Sequence, residues 1–458
     1  MRPLLVNVPS YGSHLGSIPL GLLYIISSSR TRGHDVALLD GALFSNARAF
    51  EKRLFETDFD VLGLSAMTHN IGEAERIARL VQEKRPGTTV IIGGVHASTV
   101  PEEVTAECPD CYVMAGEGEE AFPAFLNAVA GKASLADVAG LFYREDGVLK
   151  SNPPKAISDL DALPFPAYDL ADFSKYTVGV HGLFFMRKPL TTLVTSRGCP
   201  FKCSFCAKTA LTGYSWRARS AENVLSEIEL LVRKYGIREI HFEDDNIALK
   251  PERLVAICEG LLARRIDITW KCPHGIYAAH LDRNVFDLMR RSGCYSLSFG
   301  VESGSDEILA KAGKAADTSA IRRSVEAAHA AGIECIGFFI FGLEGETPET
   351  VRRTIDFAKS LPLDWAQFNL CVPFKGTPIR ETYLQSGVVT EAALAMYDVD
   401  HAIVDLPGLS ARDLKAWRLR AFREFYLRPG ILVRDLRRIA SLDIMRALLY
   451  RLRNIWRA

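Results

Sequence analysis

From Thr191 onward, strand-length apolar runs recur with helix-length periodic stretches between them, an alternation that restricts the chain to a fold built on parallel strands. The runs are Thr192–Thr195, Ile240–Glu243, Tyr295–Phe299, Cys335–Phe341 and Trp365–Val372; the helical patterns are Ser220–Lys234, Pro251–Arg265, Ser319–Ala331 and Pro348–Ser360. These five runs and four helical patterns predict a partial (βα)6, TIM-like barrel over residues 186–384. In such a barrel the reactive groups belong at the C-terminal ends of the strands.

The same alternation occurs earlier. Pro3–Val8, Asp35–Asp40, Asp60–Ser65 and Thr89–Gly94 read as strands, with helices starting near Gly21 and spanning Ile71–Arg85. This predicts an α/β domain over 1–135 with a doubly wound, Rossmann-like parallel sheet. The proline-bearing stretches Asn152–Lys155 and Leu163–Asp169 have the stiffness of a connector, so 136–185 is expected to be a linker. From 385 to 458 the pattern is helical.

Charge and cysteine usage narrow the function. The net charge is zero over 458 residues, which gives the whole chain no electrostatic claim on nucleic acid. From Arg412 onward, however, 13 Lys and Arg stand against 4 Asp and Glu, so a basic tail follows an acidic body. No apolar run is long enough to cross a bilayer and no secretory signal is visible, which points to the cytoplasm. Ten cysteines without a disulfide-like framework then read as reduced thiols.

Three of those thiols stand together. Cys199, Cys203 and Cys206 follow a strand in the spacing C-x3-C-x2-C, so one loop can wrap three corners of a cubane iron–sulfur cluster and leave the fourth iron without a protein ligand. An open iron can bind a small molecule and pass an electron into it. Structural zinc is the competing use, but it asks for four ligands, commonly in C-x2-C pairs, and no second pair occurs here.

The segment Cys199–Cys206, with Phe205 in the aromatic position, resembles the signature of the radical S-adenosylmethionine superfamily. The resemblance implies an oxygen-sensitive enzyme whose 4Fe–4S cluster cleaves S-adenosylmethionine to a 5′-deoxyadenosyl radical, fed by an electron donor such as flavodoxin or ferredoxin. His241–Asn246 ends the second strand where the family contacts the methionine amino group, a role implied for Glu243, Asp244 and Asp245. Those residues also suit a helix start before Pro251. Ser298–Gly304 resembles the family's fourth-strand motif, which would give Glu302 the ribose hydroxyls. Phe341–Thr347 is similar to Gly-Leu-Pro-Gly-Glu-Thr, with Glu344 in place of proline.

Residues 1–135 resemble the cobalamin-binding domain that some of these enzymes carry ahead of the barrel. The matching pieces are Gly33–Asp40, Gly63–Thr68, Gly93–Ser98 and Gly116–Glu119, and cobalamin contacts are implied for Ser65, Thr68, Gly93, Gly94, Gly116 and Glu117. The chain lacks D-x-H-x-x-G, so cobalamin is expected base-off without a histidine ligand; His69 and His96 are the candidates against this. A sheet that binds nothing and only docks is the other use of such a domain.

In the tail, Trp417, Phe422, Phe425, Tyr426, Leu427, Ile431 and Leu432 interleave with arginines, and Ile444–Trp456 repeats the habit. Such a helix can pack on the barrel, or lie peripherally on an anionic membrane, which would favour a hydrophobic substrate. The reading reached is a cobalamin-dependent radical enzyme that methylates an unactivated carbon of a small molecule. Its rivals are an oxidative cyclase or rearrangement enzyme, similar to anaerobic magnesium-protoporphyrin ester cyclase, a methylthiotransferase, and a non-catalytic corrinoid protein. The N-terminal domain offers only Cys108 and Cys111 where a methylthiotransferase needs three clustered cysteines.

Overall fold

Strand Pro3–Asn7 shows how the N-terminal sequence becomes a buried sheet: Leu4 and Val6 enter one apolar cluster and Leu5 enters another. Alternate residues of a strand face opposite sides, so an unbroken apolar run fills two cores at once. The structure is a computed structural model and describes residues 1–11, 17–176, 185–208, 213–277, 280–391, 394 and 402–438. These form two units, a first that runs to Tyr176 and takes in Arg217–Arg219, and a second that holds the remaining described residues.

In the first unit, Ala37–Asp40, Pro3–Asn7, Val61–Ser65, Thr89–Gly93 and Tyr112–Met114 lie side by side in that order, all parallel. Register aligns Asn7, Ser65 and Gly93 at one edge. Phe50, Leu54, Ile77 and Val81 cover one face, Leu22, Ile26, Phe122 and Phe125 the other, so the sheet is doubly wound as expected.

The stretch expected to be a linker is not all linker. Leu141–Glu145 and Val148–Ser151 form an antiparallel hairpin that adds two strands to the sheet beyond Tyr112–Met114. Asp146 and Gly147 turn it with φ of 51° and 79°. An Asp-Gly pair suits a turn that needs positive φ, and prolines farther along hid this signal.

The second unit is a six-stranded, wholly parallel sheet in the order Trp365–Leu370, Glu334–Phe341, Cys294–Glu302, Thr269–Ile276, Glu239–Phe242, Leu190–Leu193. Helices Ala221–Tyr235, Pro251–Ala263, Arg283–Arg291, Thr318–Ala330 and Pro348–Ser360 alternate with it. Strand Thr269–Ile276 and helix Arg283–Arg291 had no apolar run to announce them. Lys271, Pro273, His274 and Gly275 interrupt the strand, and its pairing shifts between Cys272 and Ile276.

The tail is less uniformly helical than its pattern suggests, since Leu406 and Leu409 pair in a short turn before helices Ala411–Tyr426 and Pro429–Arg438. The first of these packs on the barrel. Phe422 and Phe425 lie 5.4 and 6.2 Å from the Phe368 ring, and the Tyr426 hydroxyl donates to the Ala366 carbonyl at 2.7 Å. Glu424 gathers Arg352, Lys359 and Arg420. Leu427, Leu432 and Val433 stay exposed. Ile444–Trp456 lies outside the described residues, and no helix among those described is long and apolar enough to cross a membrane.

Candidate functional site

The cysteine loop begins where the first barrel strand ends at Leu193, and acidic residues from the neighbouring strand hold it. Asp244 is buried and accepts the Thr195 amide at 3.0 Å, the Thr195 hydroxyl at 2.6 Å and the Ser196 hydroxyl at 2.5 Å. Asp245 accepts the Gly198 amide at 2.9 Å and contacts the Lys208 ammonium. From the other side, the Ser204 amide donates to the Ala312 carbonyl at 2.9 Å, and the Cys203 thiol lies 3.8 Å from the Gly313 carbonyl. Gly313 has φ of 68°, and a side chain there would meet the Lys202 carbonyl at 2.6 Å.

So held, Cys199, Cys203 and Cys206 line one cavity of about 300 Å³. Burial pushes all three thiols up, Cys203 to about 11. Bound iron reverses that preference, because metal coordination deprotonates thiols. Among the described residues no three His, Cys, Asp or Glu side chains converge as ligands of one ion would. A cubane asks for something else, one thiolate at each of three irons.

Phe205, Asp245 and Glu302 also line the cavity, as do Asn246, His274 and Lys314. Glu302 sits at the end of the fourth strand with φ of 63°, unusual for a non-glycine residue and characteristic of functional sites. Its carboxylate accepts the Lys314 ammonium at 2.9 Å, and Gly300 leaves the space: a side chain there would lie 2.5 Å from the Glu302 carboxylate and 2.8 Å from the Lys314 ammonium. Asn246 is buried, and neither end of its amide finds a partner among the described residues.

Not every expected contact reaches this cavity. Glu243 stands behind it, its carboxylate against the ring of His274, which does line it; burial pushes Glu243 up to about 7. Asp244 is turned into the loop, because neighbouring residues at a strand end face opposite ways. It was expected to meet the methionine amino group and instead secures Thr195 and Ser196. Sequence reasoning missed Lys314 and His274, which carry no local motif, and passed over Asn246 inside a motif it had already quoted.

In the first unit, Ser65, Gly93 and Gly94 come together at the strand ends. Gly94 has φ of 95°, and a side chain there would strike Ala66 backbone atoms at 2.5 and 2.7 Å. Thr68 is exposed, 3.3 Å from the ring of the buried His96, and His69 bonds to Ser10 at 2.9 Å. The Gly116 amide donates to Ser98 at 3.0 Å. Glu117 departs from its expected role, since its carboxylate takes both Arg217 terminal nitrogens at 2.8 Å and the Ile157 amide at 2.6 Å.

Comparison with known proteins matches residues 193–358 to the radical SAM superfamily and residues 14–126 to the B12 binding domain. An uncharacterized methyltransferase of Pyrococcus horikoshii is 32% identical over 448 residues, covering 96% of this chain and 94% of that protein. The chain belongs to the cobalamin-dependent radical S-adenosylmethionine enzymes. Its cofactors are a 4Fe–4S cluster, S-adenosylmethionine and cobalamin. The cytidylyl-2-hydroxyethylphosphonate methyltransferase of Streptomyces wedmorensis is 27% identical over 442 residues, covering 85% of this chain and 82% of its own. The radical S-adenosylmethionine methyltransferase TsrM of Kitasatospora setae shares the fold, with a TM-score of 0.72 at 20% identity over 85% of this chain and 79% of that one. The residues present fit these groups: three thiols facing one cavity supply the cluster's donors, and the unpartnered Asn246 amide marks a place for a polar ligand atom.

Proposed function

We propose that this enzyme methylates an unactivated carbon of a small molecule, with the cluster on Cys199, Cys203 and Cys206 and with S-adenosylmethionine in the adjoining cavity. One observation carries this: three thiols, the Glu302 carboxylate and the orphaned Asn246 amide meet in a single cavity of the parallel barrel. Together the cofactors supply hydrogen-atom abstraction and a transferable methyl group, which a carbon without a lone pair needs.

The chain's own residues hold and orient. Phe205 lines the same cavity as the cluster thiols. Glu302, fixed by Lys314, is aimed to accept the ribose hydroxyls, and Asp245 to meet the ammonium of the methionine moiety, with Glu243 acting behind His274. Ser65, Thr68, Gly93, Gly94 and Gly116 would receive cobalamin at the strand ends of the first unit. An electron donor such as flavodoxin or ferredoxin serves the cluster.

The relatives' names divide over the outcome: several are carbon methyltransferases, one being a hopanoid C-3 methylase, and others are magnesium-protoporphyrin ester cyclases. Both products of S-adenosylmethionine should be measured after anaerobic incubation with dithionite and hydroxocobalamin. Methylation predicts S-adenosylhomocysteine as well as 5′-deoxyadenosine. Formation of 5′-deoxyadenosine alone would favour cyclisation or rearrangement.

A further inference from the structure

We infer that the turn joining helices Ala411–Tyr426 and Pro429–Arg438 docks on an anionic lipid bilayer, with Leu427, Leu432 and Val433 entering between the headgroups. The inference does not depend on the cofactors. The inner side of this turn packs against the second unit. Ile431 is buried, the Arg428 guanidinium donates to the Phe425 carbonyl at 2.9 Å and to the Lys359 carbonyl at 2.6 Å, and Arg434 donates to Asp364 at 3.2 Å. The outer side is apolar and faces water: Leu427, Leu432 and Val433 are 53, 44 and 47% exposed, and Pro429 and Gly430 between them are exposed as well.

Elsewhere among the described residues, large exposed apolar side chains stand singly or as the pair Val148 and Leu149, and scattered ones need no partner. Three on one turn are a different case. They offer far less than the roughly 800 Å² per partner of a stable protein interface. They suffice for the edge of a bilayer when electrostatic attraction adds to them, since stable anchoring takes two such signals. The second signal is in the sequence: from Leu427 onward eight arginines stand against two aspartates, with no lysine or glutamate, a surplus that the acidic remainder of the chain balances to zero. An anionic leaflet attracts the arginines and repels the remainder, so its charge selects this end of the chain. A nucleic acid answers the same charge through its phosphates but leaves the three aliphatic side chains in water.

Flotation of the full-length protein with vesicles of phosphatidylcholine alone, and of phosphatidylcholine and phosphatidylglycerol in equal parts, tests this. Wild type should float with the anionic vesicles only, and less as salt rises. Leu432→Ser/Val433→Ser, at two exposed positions, should bind about tenfold more weakly at unchanged Tm. Val148→Ser/Leu149→Ser, the exposed pair on the hairpin, should bind as wild type does. Wild type that stays behind when the anionic vesicles float overturns the proposal. Equal binding by wild type and Leu432→Ser/Val433→Ser also overturns it, because charge alone would then be at work. If that double variant loses stability, Leu427→Ser, ahead of the second helix, decides by the same comparison. Capture of wild type by duplex DNA in preference to the vesicles would assign the charge to nucleic acid instead. A wild-type dimer in light scattering that Leu432→Ser/Val433→Ser separates would assign the apolar turn to a second copy of the chain.

Discussion

Asp244 takes both donors of Thr195, the amide at 3.0 Å and the hydroxyl at 2.6 Å, and so fastens the start of the cysteine loop to the end of the next strand. A carboxylate in this position is structural in the service of chemistry. Asp244→Ala would leave three buried donors without their acceptor, each costing about 1–3 kcal/mol. We expect roughly 3 kcal/mol or more of lost stability in urea titration of the apoprotein, with poorer iron retention. Asp244→Asn should lose less, since its amide oxygen still accepts.

Glu346 predicts a pH dependence. It is buried, accepts the Gly342 amide at 2.6 Å through one oxygen, and has no partner for the other among the described residues. Burial pushes its pKa from 4.5 up to about 8. A folded-state value above the unfolded one means a contribution that is complete below about pH 4.5 and is lost as pH rises through about 8. Thermal unfolding of the wild type should weaken across that window, whereas Glu346→Gln should be flatter. Equal slopes would contradict this account.

Glu302→Gln should weaken use of S-adenosylmethionine. A charged acceptor for two hydroxyls is worth about 1.5–3 kcal/mol, so KM for S-adenosylmethionine should rise roughly 10- to 100-fold. Iron content should be unchanged, because Glu302 is not a thiol ligand.

Glu117 and Arg217 form a two-pronged pair whose side chains are only 15% and 10% exposed. Removing one partner strands a buried charge at a cost of about 3–5 kcal/mol. Glu117→Ala should therefore lower the Tm of the cobalamin-free protein, with bound cobalt following stability and not a direct contact. Tight, stable folding with cobalt binding abolished would restore Glu117 as a ligand contact.

The cysteine loop was legible because its meaning lies in local spacing, and most parallel strands because burial on both faces leaves an apolar run. Strand Thr269–Ile276 was not, since Lys271, Pro273 and His274 break its apolar run, and His274 lines the cavity. Lys314 and His274 were invisible for a related reason: each matters through a partner far off in sequence, Glu302 or Glu243, that only the fold brings near. Asp244 shows the reverse. Its motif was plain, but which way the carboxylate faces depends on the parity of the strand end. The hairpin turn at Asp146 and Gly147 was readable and was outvoted by nearby prolines.

The most direct test is anaerobic reconstitution with iron, sulfide and hydroxocobalamin, followed by dithionite and S-adenosylmethionine, with iron, cobalt and 5′-deoxyadenosine quantified in wild type and Cys203→Ala. Wild type should hold iron near four per chain, as a 4Fe–4S cluster requires, together with bound cobalt, and should form 5′-deoxyadenosine. Cys203→Ala should form none. Iron-free wild type, or unchanged 5′-deoxyadenosine in Cys203→Ala, would contradict the account.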